Sequence, residues 1–377
     1  MKKIIYIALF LILLSGCSDK KDLKQQEGIS LSKAMGEVKS DEFSKAFEKR
    51  AFEFPEDHGP HNDFRTEWWY FTGNLTSDEG KLFGYQFTIF RTALSKDKEP
   101  RESEWNSNQI YMAHFAVTDI SGERFYFDER FSREGNALAG AQTAPMRIWL
   151  EDWEIVQAGN DDRFDLPPLR ISAGNDKVKI NLLLEAGKSF VLQGDSGLSR
   201  KGSQPGNASY YYSYTNLSSI GIVETEGKKH NVSGKSWMDR EWSTSALSGD
   251  QSGWDWFALQ LDDSTELMYY QMRKNDGTPD VFSKGIIVRN DGSSKLIFQE
   301  DVELEVTDSW QSTNGIKYPS GWKLSIPSMD TELKLSPALK DQLLDVSVKY
   351  WEGSVKIEGV SSGRKVSGRG YVELTGY

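Results

Sequence analysis

A single cysteine, Cys17, stands in a chain of 377 residues, so no disulfide can close within it. Hydrophobic residues reach only 38%, too few for a helical bundle or a parallel α/β core. No basic cluster is interleaved with aromatics, and the formal net charge is −11, which argues against nucleic acid as a partner. The acidity is spread along the chain and reads as a solvated surface. There is no G-x-S-x-G elbow, no P-loop and no dinucleotide fingerprint. The one apolar stretch near the start, Ile4 to Leu14, is too short to span a bilayer comfortably.

Aromatic residues are abundant, at 12% with 12 Trp. Beyond Phe52 the chain alternates in the manner of short strands, as in Leu82 to Phe90 and Gln109 to Val117. Turn signals such as Ser77-Asp78-Glu79-Gly80 and Ala173-Gly174-Asn175-Asp176 separate these runs. A second series follows from Trp254 to Leu374. The pattern predicts an all-β, antiparallel sandwich or barrel. Few helices are expected: Ser336 to Leu344, and a loosely periodic stretch from Leu31 to Phe47.

The N-terminus has its own logic. Met1-Lys2-Lys3 is basic, Ile4 to Leu14 is apolar, and Leu14-Ser15-Gly16-Cys17 follows. This resembles the lipobox of a bacterial lipoprotein. The resemblance implies cleavage after residue 16, lipidation of Cys17 and stable anchoring by several acyl chains. Ser18, rather than Asp, implies the outer membrane facing the periplasm. The organisation expected is a signal peptide over 1–16, a lipidated cysteine with a polar tether over 17–51, and two domains over 52–235 and 236–377. Lys201 to Ser236, rich in Ser, Gly and Asn, reads as the linkage between them.

Three segments carry chemistry-bearing residues. They are Phe54 to Tyr70, Ala113 to Asp119, and Ser236 to Ser243 with Gly253 to Phe257 behind it. Glu67-Trp68 in one half is echoed by Glu241-Trp242 in the other, each with an arginine nearby, Arg65 and Arg240. Together with the run to Arg273, these segments resemble the AttH-like/carotenoid 1,2-hydratase (hydroxyneurosporene synthase) family. That resemblance implies two tandem lipocalin-like β-barrels. It also implies either hydration of an isoprenoid double bond or a role beside an ABC transporter.

Hydrating an unactivated alkene needs a dry acid with a raised pKa, and aromatic faces for the resulting cation. The candidate acid–base groups are Glu67, His114, Asp239 and Glu241. The candidate ligand contacts are Arg65, Trp68, Trp69, Tyr70, Arg240, Trp242, Trp254, Asp255, Trp256 and Tyr270. Two positions depart from the hydratase pattern. Arg240 stands where that branch has histidine, and Tyr270-Gln271-Met272 stands where it has Tyr-x-Asp. An alternative role for Arg65 and Arg240 is to pair with a neighbouring glutamate, stack on tryptophan and close a barrel end.

His58 and His61 form H-x-x-H in a Gly-Pro loop without cysteine, which does not make a metal site. His230 is expected at the surface. Gly194-Asp195-Ser196-Gly197 looks like a serine-protease loop but reads better as a β-turn. No cofactor and no metal are expected. Three readings remain: an envelope lipoprotein that binds a lipophilic small molecule, with an ABC transporter permease as a candidate partner; a hydratase-type lyase; or a structural envelope lipoprotein.

Overall fold

The computed structural model describes residues 42–96, 107–160, 163–245 and 247–377. Thirteen strands form the first sheet: β1 (Thr66–Ser77), β2 (Leu82–Ala93), β3 (Gln109–Asp119), β4 (Arg124–Arg133), β5 (Ala139–Gln142), β6 (Arg147–Leu150), β7 (Trp153–Gln157), β8 (Leu169–Gly174), β9 (Val178–Ala186), β10 (Val191–Leu192), β11 (Leu198–Arg200), β12 (Ala208–Thr225) and β13 (Lys228–Ser245). Ten form the second: β14 (Gln251–Leu261), β15 (Glu266–Lys274), β16 (Lys284–Val288), β17 (Ser294–Phe298), β18 (Glu303–Gln311), β19 (Lys317–Ile326), β20 (Thr331–Pro337), β21 (Leu343–Leu344), β22 (Tyr350–Ser361) and β23 (Arg364–Thr375). Both sheets are antiparallel and barrel-like, as the alternation predicts. Only 3-10 turns of three residues interrupt them among the described residues. None of the described helices is long and apolar enough to cross a membrane.

Period-2 alternation decides which side chain enters a barrel. On β1, Glu67, Trp69, Phe71 and Leu75 point into the first barrel, while Trp68, Tyr70 and Asn74 point the other way. On β14, Phe257 and Leu259 fill the second barrel, and Trp254, Trp256 and Ala258 face the first. Each barrel thus has its own apolar interior. A third apolar layer lies between the barrels, built from Tyr70, Tyr211, Trp237, Trp256, Met268 and Tyr371 among others.

Polar contacts stitch that seam. Ser354 donates to Asn74 Oδ1 (2.6 Å), Thr118 to Gln342 Oε1 (2.8 Å) and Gln260 to the carbonyl of Thr215 (2.7 Å). The close approach depends on Gly84. A Cβ there would sit 2.7 Å from the Cβ of Ser354.

A strap closes the mouth of the first barrel. Phe43 and Ala46 are buried, so the ordered body begins before residue 52, inside the stretch expected to be tether. Tyr210 donates to the carbonyl of Glu48 (2.8 Å), Phe52 packs edge-on against Trp242, and Phe54 against Tyr212.

Several expectations are corrected. Lys201 to Ser236 is not a linkage; most of it forms β12 and β13, the two longest strands, in the middle of the first sheet. The boundary at 235/236 cuts through β13, which pairs with β1 and β12, so the change of sheet falls between Ser245 and Gln251. Ser336 to Leu344 is not helical. Its start continues β20, and Leu343-Leu344 pair with β22 as β21. The proposed helix from Leu31 lies outside the described residues up to position 41, and residues 42–47 are turn and extended chain. His230 is buried at 3% exposure against Phe83.

Candidate functional site

The register of β1 and β13 settles how the charged motifs are used. Trp68 lies opposite Glu241 and Tyr70 opposite Asp239, while Glu67 lies opposite Trp242 and Trp69 opposite Arg240. Cross-strand partners share a face. The first set faces the second barrel; the second set is inside the first barrel.

Inside the first barrel, Glu67 receives both Arg91 and Arg240, and all three are fully buried. Arg240 also donates to the carbonyl of Gly59 (2.6 Å), and its guanidinium lies 4.0 Å from the Trp69 ring centre. His61 stacks on Trp242 at 3.7 Å and bonds Asp57 (2.9 Å). Burial works against ionisation of Glu67, but the two arginines overcome it and hold its carboxyl well below the usual range. This is a closing ion pair, and Glu67 has no proton to give at neutral pH. Asp255 takes the corresponding place in the second barrel, though burial pushes its carboxyl up to about 6. It pairs with Arg273 and accepts from Tyr377 (3.0 Å), while Arg273 lies over the Tyr377 ring.

Between the barrels lies a cleft lined by Trp68, Tyr70, Phe90, Lys201, Tyr211, Asp239, Glu241, Leu247, Trp254, Trp256, Tyr270, Met272, Tyr350 and Glu373. The space between its walls, mouth included, is about 700 Å³. The cleft is narrow, and mostly apolar and aromatic side chains line it. Seven of the sequence-predicted residues meet here: Trp68, Tyr70, Asp239, Glu241, Trp254, Trp256 and Tyr270. Arg65, Glu67, Trp69, Arg240, Trp242 and Asp255 do not line it. His114 stands one layer behind, bonded through Nδ1 to the Tyr350 hydroxyl (2.6 Å). Burial pushes His114 down to about 3, so it stays neutral.

Asp239 is the best-dressed acid of the cleft. Tyr211 (2.6 Å), Ser213 and the Trp237 indole (2.7 Å) all donate to it. Burial nevertheless pushes its carboxyl up to about 7, with Glu241 adding to the rise. Glu241 is ion-paired with Lys201 (3.2 Å), whose ammonium also lies 4.1 Å from the Tyr270 ring centre.

Sequence reasoning missed the opposite wall. Glu373, on β23, accepts from the Trp254 indole (2.8 Å), and burial pushes it up to about 7. Directly across the strand pair stands Glu352, which accepts from Tyr70 (3.1 Å). Burial, with Glu373 next to it, holds Glu352 well above the usual range. Lys201, Tyr211 and Tyr350 were also missed. Met272, where the hydratase resemblance places an acid, lines the same cleft without one. Among the described residues no group of three or more His, Cys, Asp or Glu side chains is arranged to hold a metal ion.

A family model described as AttH-like matches residues 45–377. A model of the prokaryotic membrane lipoprotein lipid attachment site matches residues 1–18. Among solved structures, the chain is similar to a protein from Nitrosomonas europaea assigned as AttH, at 32% identity, over 89% of this chain and 100% of that one, with a TM-score of 0.77. It is also similar to kievitone hydratase from Nectria haematococca, at 16% identity, over 89% of this chain and 98% of that one, with a TM-score of 0.66; this likeness speaks for the fold alone. No curated protein matches the chain.

Proposed function

The chain belongs to the AttH-like family and is a lipid-anchored protein of the cell envelope, and on that premise we propose that it binds a lipophilic small molecule in the cleft between its two barrels. The observation that carries this reading is the cleft itself. Indole and phenol rings from both barrels converge there on a narrow space, with a few polar groups to fix orientation. Ser18 after the lipidated cysteine favours the outer membrane, facing the periplasm. A role beside an ABC transporter permease would use the same cleft to receive or pass on its cargo.

Extraction of the purified mature protein, followed by mass spectrometry, tests the reading. An apolar compound in near-stoichiometric amount is expected. A protein that carries none, and that does not take up the neutral apolar dye Nile red, is a structural lipoprotein instead.

A second reading rests on Asp239. A carboxyl group that keeps its proton near pH 7 among aromatic rings can serve as an acid, and cations are welcome against indole faces. Hydration of a carbon–carbon double bond fits that equipment, and kievitone hydratase, by its name, is a hydratase on the same fold. In this reading Glu67 and His114 are not the acid, since one is ionised by its arginines and the other is neutral.

A further inference from the structure

We propose that the molecule held between the barrels is an organic cation, an ammonium group on an apolar body, recognised by the carboxyls of Asp239 and Glu373. This rests on the cleft being a ligand site.

The charges of the cleft walls do not cancel. Among the described residues three carboxyl groups line it, those of Asp239, Glu241 and Glu373, against one ammonium, that of Lys201. Lys201 is already engaged: it pairs with Glu241 (3.2 Å) and lies 4.1 Å from the Tyr270 ring centre. It is therefore not free to receive an anionic ligand. Asp239 and Glu373 are left, buried at 3% and 9% exposure. Their hydrogen-bond donors are all neutral: Tyr211, Ser213 and Trp237 for Asp239, and Trp254 for Glu373. Neutral donors orient a buried carboxylate but do not match its charge.

The rings beside the two acids suit a cation. The Trp254 indole donates to Glu373 (2.8 Å), which sets an aromatic ring directly against that carboxyl. Trp256 donates to the Tyr211 hydroxyl (3.3 Å), and Tyr211 donates in turn to Asp239 (2.6 Å). Each acid is thus joined to a tryptophan that lines the cleft. An ammonium group gains from the ring face and from the carboxylate together. An anion would meet three carboxyls instead. Asp239 already receives three hydrogen bonds, so what it lacks is charge rather than donors. A quaternary ammonium, which has no N–H, supplies that.

Protons compete with such a ligand. Burial pushes both carboxyls up to about 7, so they hold protons below that pH and can hold a cation above it. The other titratable groups around them do not offset this. Burial keeps the phenols of Tyr70, Tyr211, Tyr270 and Tyr350 neutral, and His114 behind Tyr350 is neutral as well. Burial works against the charge of Lys201, but Glu241 outweighs it and the ammonium stays charged. Glu352, opposite Glu373 on β22, is acidic too and brings no positive charge.

Equilibrium dialysis of the full mature lipoprotein in a neutral detergent, with protein-free micelles as the blank, tests the proposal. Two probes of one shape are compared: benzyltrimethylammonium, and neopentylbenzene, in which carbon replaces the nitrogen. At pH 8 the cation should bind at least about tenfold more tightly. That ratio should collapse towards one at pH 5.5. Glu373→Gln and Asp239→Asn should each lower the pH 8 ratio at least fivefold; should either fail to fold, the other variant and the pH profile of the wild type decide. Equal binding of the two probes, no binding of the cation, or a ratio that neither pH nor the folded variants move overturns the proposal. Nile red uptake by the same samples reads the cleft separately. A wild type that takes up the dye without preferring the cation keeps the cleft reading and loses the charge preference, whereas one that takes up neither dye nor probe loses both.

Discussion

Trp68 and Glu241 stand directly opposite each other across β1 and β13. The two E-W motifs, which look in sequence like equivalent parts of two repeats, are thus partners in one sheet. One residue of offset divides their work. Trp68 and Glu241 line the cleft, while Glu67 and Trp242 seal the first barrel.

Replacing Glu67 by Gln should destabilise the fold by about 3–5 kcal/mol, because it strands two buried arginines. Its carboxyl is held below the usual value of 4.5, so the stability it contributes is present above that pH and fades as pH falls through the lower folded value. Urea unfolding of the two proteins checks this. Nile red binding below the melting temperature should survive, since the residue does not line the cleft.

Glu373 predicts the opposite pH dependence. Its folded pKa is raised from 4.5 to about 7, so the native state binds more protons than the unfolded one across that window. Stability should therefore fall as pH rises through it, by roughly 3 kcal/mol from this group. Glu373→Gln should flatten that part of the curve. An unchanged slope between wild type and variant contradicts the assignment.

Leu247, half-buried between the two sheets, lines the cleft without belonging to either barrel core. Leu247→Trp should fill the cleft and reduce Nile red affinity at least tenfold. The cost to stability should stay within about 0.5 kcal/mol, as for other changes away from a core. Dye titration and a thermal melt of the same sample read both effects.

Cys17→Ser should release the protein from the membrane fraction and abolish incorporation of labelled palmitate. Ser18→Asp should leave lipidation intact and shift the protein to the inner membrane. Fractionation on a density gradient separates these outcomes; an unmoved Ser18→Asp variant refutes the role given to that residue.

The sequence made much of this architecture legible. Alternation in Leu82 to Phe90 and Gln109 to Val117 predicted strands that the structure contains as β2 and β3. The lipobox was plain from four residues. Composition misled at Lys201 to Ser236, where Ser, Gly and Asn read as a linkage. There small residues serve close strand approach: a Cβ at Gly234 would lie 2.1 Å from the carbonyl oxygen of Asn74.

Glu352 and Glu373 escaped notice for a different reason. Alternation says that they leave the barrel interior, and an acidic residue facing outward is normally solvated. Only tertiary structure shows that another barrel covers that face. The same limit hid the split between Glu67 and Glu241, since register, not spacing, decides which of them meets the cleft. Arg240 was readable both as a ligand contact and as a barrel closure; its place beside Glu67 and Trp69 makes it the closure.

The strap has a mechanical corollary. The stretch of chain that arrives from Cys17 becomes, at Phe52 and Phe54, the stopper of the first barrel. Anchor attachment and stopper therefore share one run of chain, and a pull arriving at Phe43 reaches the stopper before it reaches any strand.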